Sequence, residues 1–390
     1  MSNKYKVTYG GWYQRTTLHL SEIYNLFVEG ESHLNLDKKE LKRFQAELDL
    51  TNISRESGYL EYIKATTSSE IKIFYYEDGL YILEKDTDDI LEAQKLLEEY
   101  LEKKFTPAIS YIFSLGAPTP KILANIKTVH PVVISIFDST DKKFIIDESS
   151  FGKVYTKMSS NSITVSKTPR FIFIETDSQL HRPIYEIIAM QIFFREFKDQ
   201  LEKYLSIHRT IWEEISDIKE AKVIRGREVD SIRGKLDGYQ KTINLISNRI
   251  NQMGSYINTR SSIAKNLEIE KDLISLFEYK FETLTDTLSY IKEIWKMTGD
   301  YLSSAIGNLV EIKNQATSNN LKSLQTITSI GVISGVLGYL SANKLPQISK
   351  SGAIYFVILF CLTWFMNYII AKKYKNKKYS LKFGDRASNL

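Results

Sequence analysis

LQTITSIGVISGVLGYLSA at residues 324–342 and AIYFVILFCLTWFMNYIIA at residues 353–371 decide the fold that this sequence predicts, because neither stretch carries a charged side chain. A helix rises ~1.5 Å per residue, so each stretch is long enough to cross a hydrocarbon core of ~30 Å. Residues 343–352 form an outer loop that suffices for a tight turn but not for a domain. The pattern predicts a two-helix transmembrane hairpin attached to a large polar body.

The first stretch differs from the second in carrying polar and small side chains, among them Gln325 and Ser329. Polar side chains are costly against lipid and tend to face a bundle interior or water. The first stretch is therefore predicted to be the inner helix, which lines a pore. Its lining candidates recur at helical spacing: an apolar neck at the cytoplasmic end, Leu321 and Leu324, and then a stripe of small residues, Thr328, Gly331, Gly335, Gly338 and Ala342. Close helix packing through the same small residues is the alternative interpretation, and the two can coexist in an oligomer.

Charge around the two stretches predicts their orientation. Residues 372–390 form a lysine-rich tail, whereas the loop has only Lys344 and Lys350. By the positive-inside rule, both termini are expected in the cytoplasm, and the chain is expected in the plasma (inner) membrane of a prokaryote as a multi-pass protein. The N-terminus has no apolar run that would indicate a signal peptide. The only cysteine, Cys361, excludes an intrachain disulfide.

The remaining chain divides into two parts, because no proline occurs between Pro183 and Pro346. Residues 1–180 are predicted to form a cytoplasmic α/β domain, with a helix over Asp88–Phe105 for which Asp86 is the candidate N-cap. Short β-rich runs are the predicted strands of this domain. They are Tyr59–Ala65, Ile71–Tyr76, Leu80–Leu83, Ile109–Phe113, Val132–Phe137 and Phe171–Ile174.

Residues 181–323 have the apolar periodicity of long helices. The last of them, a stalk helix, is predicted to begin near Ser261 or Leu267 and to enter residues 324–342 without a stop signal. Between these helices the chain is basic, with Arg225, Arg227 and Arg233 as candidate contacts for an anionic ligand, because arginine pairs bidentately with phosphate. The alternative is a solvated helical face. The net charge of only +5 makes nucleic acid an unlikely partner.

The predicted order of elements resembles that of the CorA-like metal ion transporters. It consists of a soluble α/β domain, a long stalk helix, an inner span, a short loop, an outer span and a lysine-rich tail. The local match is the run TSNNLKSLQTITSIGVISGVLGYLSAN, and the resemblance covers about residues 260–382. It implies a homopentamer in a lipid membrane, with the first span lining the pore. It also implies Mg²⁺ as the permeant or regulatory ion, and no other cofactor.

The chain departs from that family at its signature. Where the family has Gly-Met-Asn at the end of the pore helix, this chain has Ser341-Ala342-Asn343, so Asn343 is the remaining candidate at the pore mouth. The loop has lysines and no acidic side chain, although a hydrated Mg²⁺ requires oxygen ligands and negative potential. Ordinary magnesium uptake is therefore not expected.

Three functions follow from these patterns. The first is a CorA-like oligomeric ion channel or transporter, gated from the cytoplasmic domain. The second is a ligand-gated membrane effector of type III CRISPR antiviral defence, activated by a nucleotide-derived messenger. The third is a non-conducting structural membrane tether. An enzyme is not expected, because the sequence contains no phosphate-binding glycine loop, nucleophile elbow or paired metal-ligand motif.

Overall fold

The computed structural model describes residues 5–14, 18–116, 131–136, 144–160, 163–176, 184–220, 223–340, 354, 357–358, 360–366, 368–369, 372 and 378–380. Contacts divide the chain into two compact units. Unit 1 consists of Met1–Ile207 and Leu245–Ile294, and unit 2 consists of His208–Asn244 and Trp295–Leu390.

Strands and helices alternate in the first part of the chain, and helices dominate the second. The strands are β1 Tyr5–Trp12, β2 Leu50–Ser57, β3 Glu61–Thr67, β4 Lys72–Tyr76, β5 Leu80–Thr87, β6 Val132–Ile136, β7 Thr156–Ser160, β8 Ile163–Lys167, β9 Phe171–Thr176, β10 Val223–Arg225 and β11 Lys378–Ser380. The helices are α1 Leu20–Glu29, α2 Lys38–Leu48, α3 Ile90–Tyr100, α4 Thr106–Gly116, α5 Glu148–Phe151, α6 Ile184–Glu220, α7 Val229–Asn266, α8 Glu270–Phe277 and α9 Phe281–Leu340. A π-helical turn, Leu101–Phe105, joins α3 to α4.

Unit 1 is built on a nine-stranded sheet with the order β2-β3-β4-β5-β1-β6-β9-β8-β7. Neighbouring strands are antiparallel except β6 and β9, which are parallel. Side chains alternate between the two faces of a strand, so each strand offers one face to each side of the sheet. The inner face carries Val7, Ile63, Ile73 and Leu83, which form a buried core with the apolar sides of α1–α4.

The outer face of the sheet packs against α6 and α7. Trp12 on β1 stacks on Phe197 of α6, with ring centroids 5.4 Å apart, and meets Tyr256 of α7 edge to face at 5.7 Å. Gly10 allows this approach, because a Cβ at that position would lie 2.8 Å from the Cδ1 atom of Ile192. Helices therefore cover both faces of the sheet, in the three-layer arrangement of an α/β body.

The predicted transmembrane hairpin is wrong. Among the described residues, no helix is both long and apolar enough to cross a membrane. Residues 324–340 are instead the end of α9, a helix of 60 residues, in which polar side chains such as Gln325, Thr328 and Ser329 interrupt the apolar run. The predicted fold class, an α/β domain with a CorA-like membrane hairpin, is corrected to an α/β body with long helices.

The same finding corrects the predictions that depended on the hairpin. These are the membrane, transmembrane-helix, ion-transport and ion-channel assignments and the multi-pass location in a plasma membrane. Of the predicted second span, the structure describes only 354, 357–358, 360–366 and 368–369. The predicted outer loop, residues 343–352, lies outside the described residues.

Candidate functional site

A cavity of about 450 Å³ opens on the outer face of the sheet in unit 1, beside the N-terminus of α6 and the C-terminal part of α7. Its volume is in the range of small-molecule sites. Aromatic and charged side chains dominate its wall. The lining residues are Lys6, Gly58, Tyr59, Leu60, Tyr62, Lys64, Lys72, Phe74, Tyr76, Glu84, Tyr185, Glu186, Arg260 and Ile263.

The register of the strands brings the side chains of the wall together. Tyr62 on β3 pairs with Tyr76 on β4, and Lys64 pairs with Phe74. Paired residues in an antiparallel sheet project from the same face, so these four side chains form one patch. The ring centroids of Tyr62 and Tyr76 are 5.3 Å apart, and those of Phe74 and Tyr185 are also 5.3 Å apart. The patch offers flat ring surfaces to a ligand.

Arg260 of α7 fixes one side of the cavity. Its guanidinium makes two hydrogen bonds to the carboxylate of Asp78, with Nε–Oδ2 and Nη2–Oδ1 distances of 2.7 and 3.0 Å. Both side chains are buried, at 1% and 3% exposure. The guanidinium also lies 5.0 Å from the ring centroid of Tyr76. Tyr76 in turn donates a hydrogen bond to the hydroxyl of Tyr185 at 2.9 Å, so this wall is a connected and ordered network.

Three lysines contribute positive charge at the strand side of the cavity. Lys64 and Lys72 are each more than 40% exposed. Their acidic neighbours are Glu56, 3.9 Å from Lys64, and Asp86, 2.7 Å from Lys72. The third, Lys6, lies 3.4 Å from the Oε2 atom of Glu84. The ion pairs of Lys64 and Lys72 are exposed and therefore weak, worth ~0–1 kcal/mol, so these two ammonium groups can reorient toward a ligand at small cost.

Two carboxylates give the cavity a second, negative character. Burial raises the pKa of Glu84 above its ordinary value, and the neighbouring Lys6 only partly opposes this effect. Burial also raises the pKa of Glu186, against the opposing charge of Arg260. The cavity therefore presents groups that attract an anion and groups that accept hydrogen bonds.

The raised pKa of Glu84 predicts a pH dependence of stability. A carboxyl whose pKa is higher in the folded state stabilises the fold most below its ordinary pKa of ~4.3, and this contribution is lost as the pH rises through the folded-state pKa. We expect Glu84→Gln to be at least as stable as the wild type at about pH 7, with a difference that shrinks toward about pH 4. Thermal unfolding across this range measures it. A difference that instead grows as the pH falls would contradict the assignment.

The arginines predicted as ligand contacts belong to unit 2 and are not among the residues that line this cavity. Arg225 ends β10, where it pairs in register with Lys378 of β11. The side chain of Arg227 lies 3.7 Å from Glu228, and that of Arg233 lies 3.8 Å from Asp237. All three arginines are on the surface. Their contact with an anionic ligand stays a prediction.

The predicted pore-lining residues fall on α9 where the structure describes them. Leu321 and Leu324 are 56% and 45% exposed, and the Thr328 hydroxyl donates to the Leu324 carbonyl at 2.8 Å. Gly331 and Gly335 have no atom within 4 Å of an added Cβ. Gly338 lies on the same helix, whereas Ala342 and Asn343 lie outside the described residues. The lining role of these residues stays a prediction.

No group of three or more histidine, cysteine, aspartate or glutamate side chains suited to a metal ion occurs in the described part of the chain. The predicted role of Mg²⁺ stays untested by this observation.

The cavity itself was missed by the sequence prediction, although a signal for it exists. Tyr62 and Lys64 on β3 alternate with buried side chains, as do Lys72 and Phe74 on β4, and Tyr76 follows at the same spacing but is itself buried. This alternation marks a sheet face that carries rings and ammonium groups in place of a core. The contribution of Arg260, separated by 182 positions from Asp78, has no comparable signal in the sequence.

The chain matches no protein-family model, no curated protein and no solved structure. A function must therefore be argued from the cavity.

Proposed function

We propose that this chain is a ligand-binding effector whose unit 1 binds a nucleotide-type ligand, a phosphate joined to an aromatic base, in the cavity beside Arg260. The observation that carries the proposal is the lining of one cavity by a patch of rings and by cations. Aromatic side chains stack on nucleobases whatever the base, because every base has a π-face. Ammonium and guanidinium groups bind phosphate oxygens through charge-assisted hydrogen bonds.

The positions of the side chains support separate contacts for the base and for the phosphate. Tyr62, Phe74 and Tyr76 lie on adjacent strands and supply ring faces, while Lys64 and Lys72 lie on the same face of the same strands. Both lysines are partly exposed, so they can reach a phosphate without leaving the protein surface. Arg260 is held by Asp78 and serves to order the Tyr76 ring beside the base.

This proposal keeps one part of the functions that the sequence predicts, which is control by a nucleotide-derived ligand. The long helices α6, α7 and α9 each contribute residues to both units. They are the elements through which occupancy of unit 1 would affect unit 2. Assembly into a homopentamer and the absence of catalysis stay predictions.

We expect AMP, used as the probe, to bind the wild type more tightly than adenosine does, because only AMP offers a phosphate to the lysines. The double variant Lys64→Met/Lys72→Met should weaken AMP binding by about tenfold or more and leave the affinity for adenosine nearly unchanged. Isothermal titration calorimetry measures both. Lys103→Met is the matched control, because Lys103 is an exposed lysine paired with Glu99 and lies outside the cavity.

Two outcomes would contradict the proposal. One is the absence of binding heat with AMP and with a panel of other mononucleotides. The other is an equal loss of affinity in Lys103→Met and in the double variant, because it would indicate a general effect of surface charge.

A further inference from the structure

We infer that the cavity recognises the base of the bound nucleotide through Glu84, whose carboxylate accepts a hydrogen bond from an exocyclic amino group of the base. The inference rests on the proposed function and names the class of ligand more narrowly: a mononucleotide whose base carries an amine.

Glu84 is an unusual residue for the middle of a β-sheet. It lies on β5, opposite Lys72 of β4 and opposite Thr8 of β1, and the residue is 2% exposed. Carboxylates are rarely buried to this degree unless they are paired or hydrogen-bonded. Its Oε2 atom faces Lys6 at 3.4 Å. Its Oε1 atom has no hydrogen-bond partner among the described residues.

Two polar side chains near Glu84 also lack a hydrogen-bond partner among the described residues. Thr8 and Ser135 are each 1% exposed, and neither hydroxyl oxygen has a hydrogen-bond partner within the described ranges. Thr8 pairs with Glu84 across β1 and β5, and Ser135 pairs with Lys6 across β1 and β6. Four polar side chains therefore cluster on one face of three adjacent strands. A buried polar group without a partner costs free energy, which a ligand that supplies the missing donor recovers.

The missing partner of Glu84 is a donor, because an ionised carboxylate only accepts hydrogen bonds. The phosphate of a nucleotide cannot fill that role, whereas the amino group of adenine can. Lys64 lies on β3, two strands away from Glu84 on β5, whereas Lys72 on β4 is the direct cross-strand neighbour of Glu84. A nucleotide with its phosphate at Lys64 and its base directed inward past Lys72 would bring its amino group toward Glu84.

Glu186 offers a second carboxylate in the same cavity and is the internal comparison. It belongs to the first turn of α6, opposite the sheet. Unlike Glu84, it is only partly buried, so water can hydrogen-bond to it when no ligand is present. A ligand amine therefore recovers less free energy at Glu186 than at Glu84.

The test compares AMP with purine riboside 5′-monophosphate, which differs from AMP only by lacking the amino group. We expect calorimetry on the full chain to show AMP binding about tenfold to a hundredfold more tightly. Glu84→Met should remove this preference while leaving the affinity for purine riboside 5′-monophosphate nearly unchanged. Glu84→Gln, which keeps an acceptor oxygen and the shape of the side chain, should retain part of the preference. Glu186→Gln should retain nearly all of it.

The outcomes separate this inference from the proposed function. Equal affinity of the wild type for the two nucleotides overturns recognition of the amino group by Glu84 but does not contradict nucleotide binding. Loss of the preference in Glu186→Gln but not in Glu84→Gln also overturns it. Binding of neither nucleotide overturns both proposals. Thermal unfolding of each variant verifies its fold. Where Glu84→Met does not fold, an undiminished preference in Glu84→Gln overturns the assignment to Glu84.

Discussion

Arg260→Met is expected to lower the free energy of unfolding by about 3–5 kcal/mol. The substitution leaves the carboxylate of Asp78 buried at 3% exposure without its bidentate partner, and an unpaired buried charge is strongly destabilising. It also removes the cation that lies over the rings of Tyr76 and Phe193 at 5.0 and 5.5 Å. Denaturant unfolding followed by circular dichroism measures the loss.

Arg55→Met is the matched control for this prediction. Arg55 also makes two hydrogen bonds to a carboxylate, that of Glu61, with both N–O distances at 2.7 Å. Its side chain is 39% exposed, however, so water solvates Glu61 when the partner is lost. We expect a loss of at most about 1 kcal/mol. Similar losses of unfolding free energy in the two variants would show that burial does not determine how strongly the Arg260–Asp78 pair stabilises the fold.

Phe197→Ala is the second substitution with a large expected effect, a loss of about 3–5 kcal/mol. Phe197 is completely buried. It stacks on Trp12 of β1 and lies at a tilt against Phe193 of α6, with centroid distances of 5.4 Å to each. Removing the ring leaves a cavity between the sheet and α6, which the close approach at Gly10 prevents from collapsing.

The control for Phe197→Ala is Tyr290→Ala in the same unit. Tyr290 lies on α9 and is 60% exposed, so its removal creates no internal cavity. Surface substitutions usually change stability by less than about 0.5 kcal/mol. Chemical denaturation of both variants, analysed with a common slope, gives the comparison. A small effect at Phe197 would indicate that α6 is not rigidly packed on the sheet.

Several strands could be predicted from the sequence, because their residues alternate and are β-branched or aromatic. The predicted runs Ile71–Tyr76 and Phe171–Ile174 fall on β4 and β9. In contrast, Ile109–Phe113 was expected to be a strand and is part of α4, where a helix continued from α3 overrides local β-propensity. β1 was missed, because Gly10 and Gly11 lower strand propensity and only the approach of Ile192 and Tyr81 explains them.

The single stalk helix expected from Ser261 or Leu267 onward is interrupted, because this segment contains the end of α7, all of α8 and then α9. α7 ends at Asn266, and the chain turns through Glu268 at a φ of 57° and Glu278 at 61° before α9 begins at Phe281. Residues that end helices in the left-handed conformation are most often glycine or asparagine. Two glutamates at these positions therefore do not indicate in the sequence that helices end there. The N-cap of α3 is likewise Asp89 and not Asp86, because its carboxylate accepts from the amides of Leu91 and Glu92.

The cavity could not be predicted as a site, because its parts come from separate regions of the chain. Alternation places Lys64 and Lys72 on one face of two strands, and that much can be derived from the sequence. In the sequence, Glu84 is indistinguishable from an ordinary exposed polar residue of a strand, although it is only 2% exposed in the structure. Long-range pairing such as Arg260 with Asp78 follows from tertiary structure alone.

Unit 1 is built from two separate segments of the chain, Met1–Ile207 and Leu245–Ile294, and this affects how it folds during synthesis on the ribosome. The sheet is complete once Thr176 has been made, yet Tyr256 and Arg260, which cover its outer face, emerge only about eighty residues later. At ~5–20 residues per second, the nascent sheet waits several seconds with part of this face uncovered. Apolar faces exposed during synthesis are where chains associate wrongly and where chaperones bind. Translation speed between Thr176 and Arg260 should therefore affect the yield of native protein.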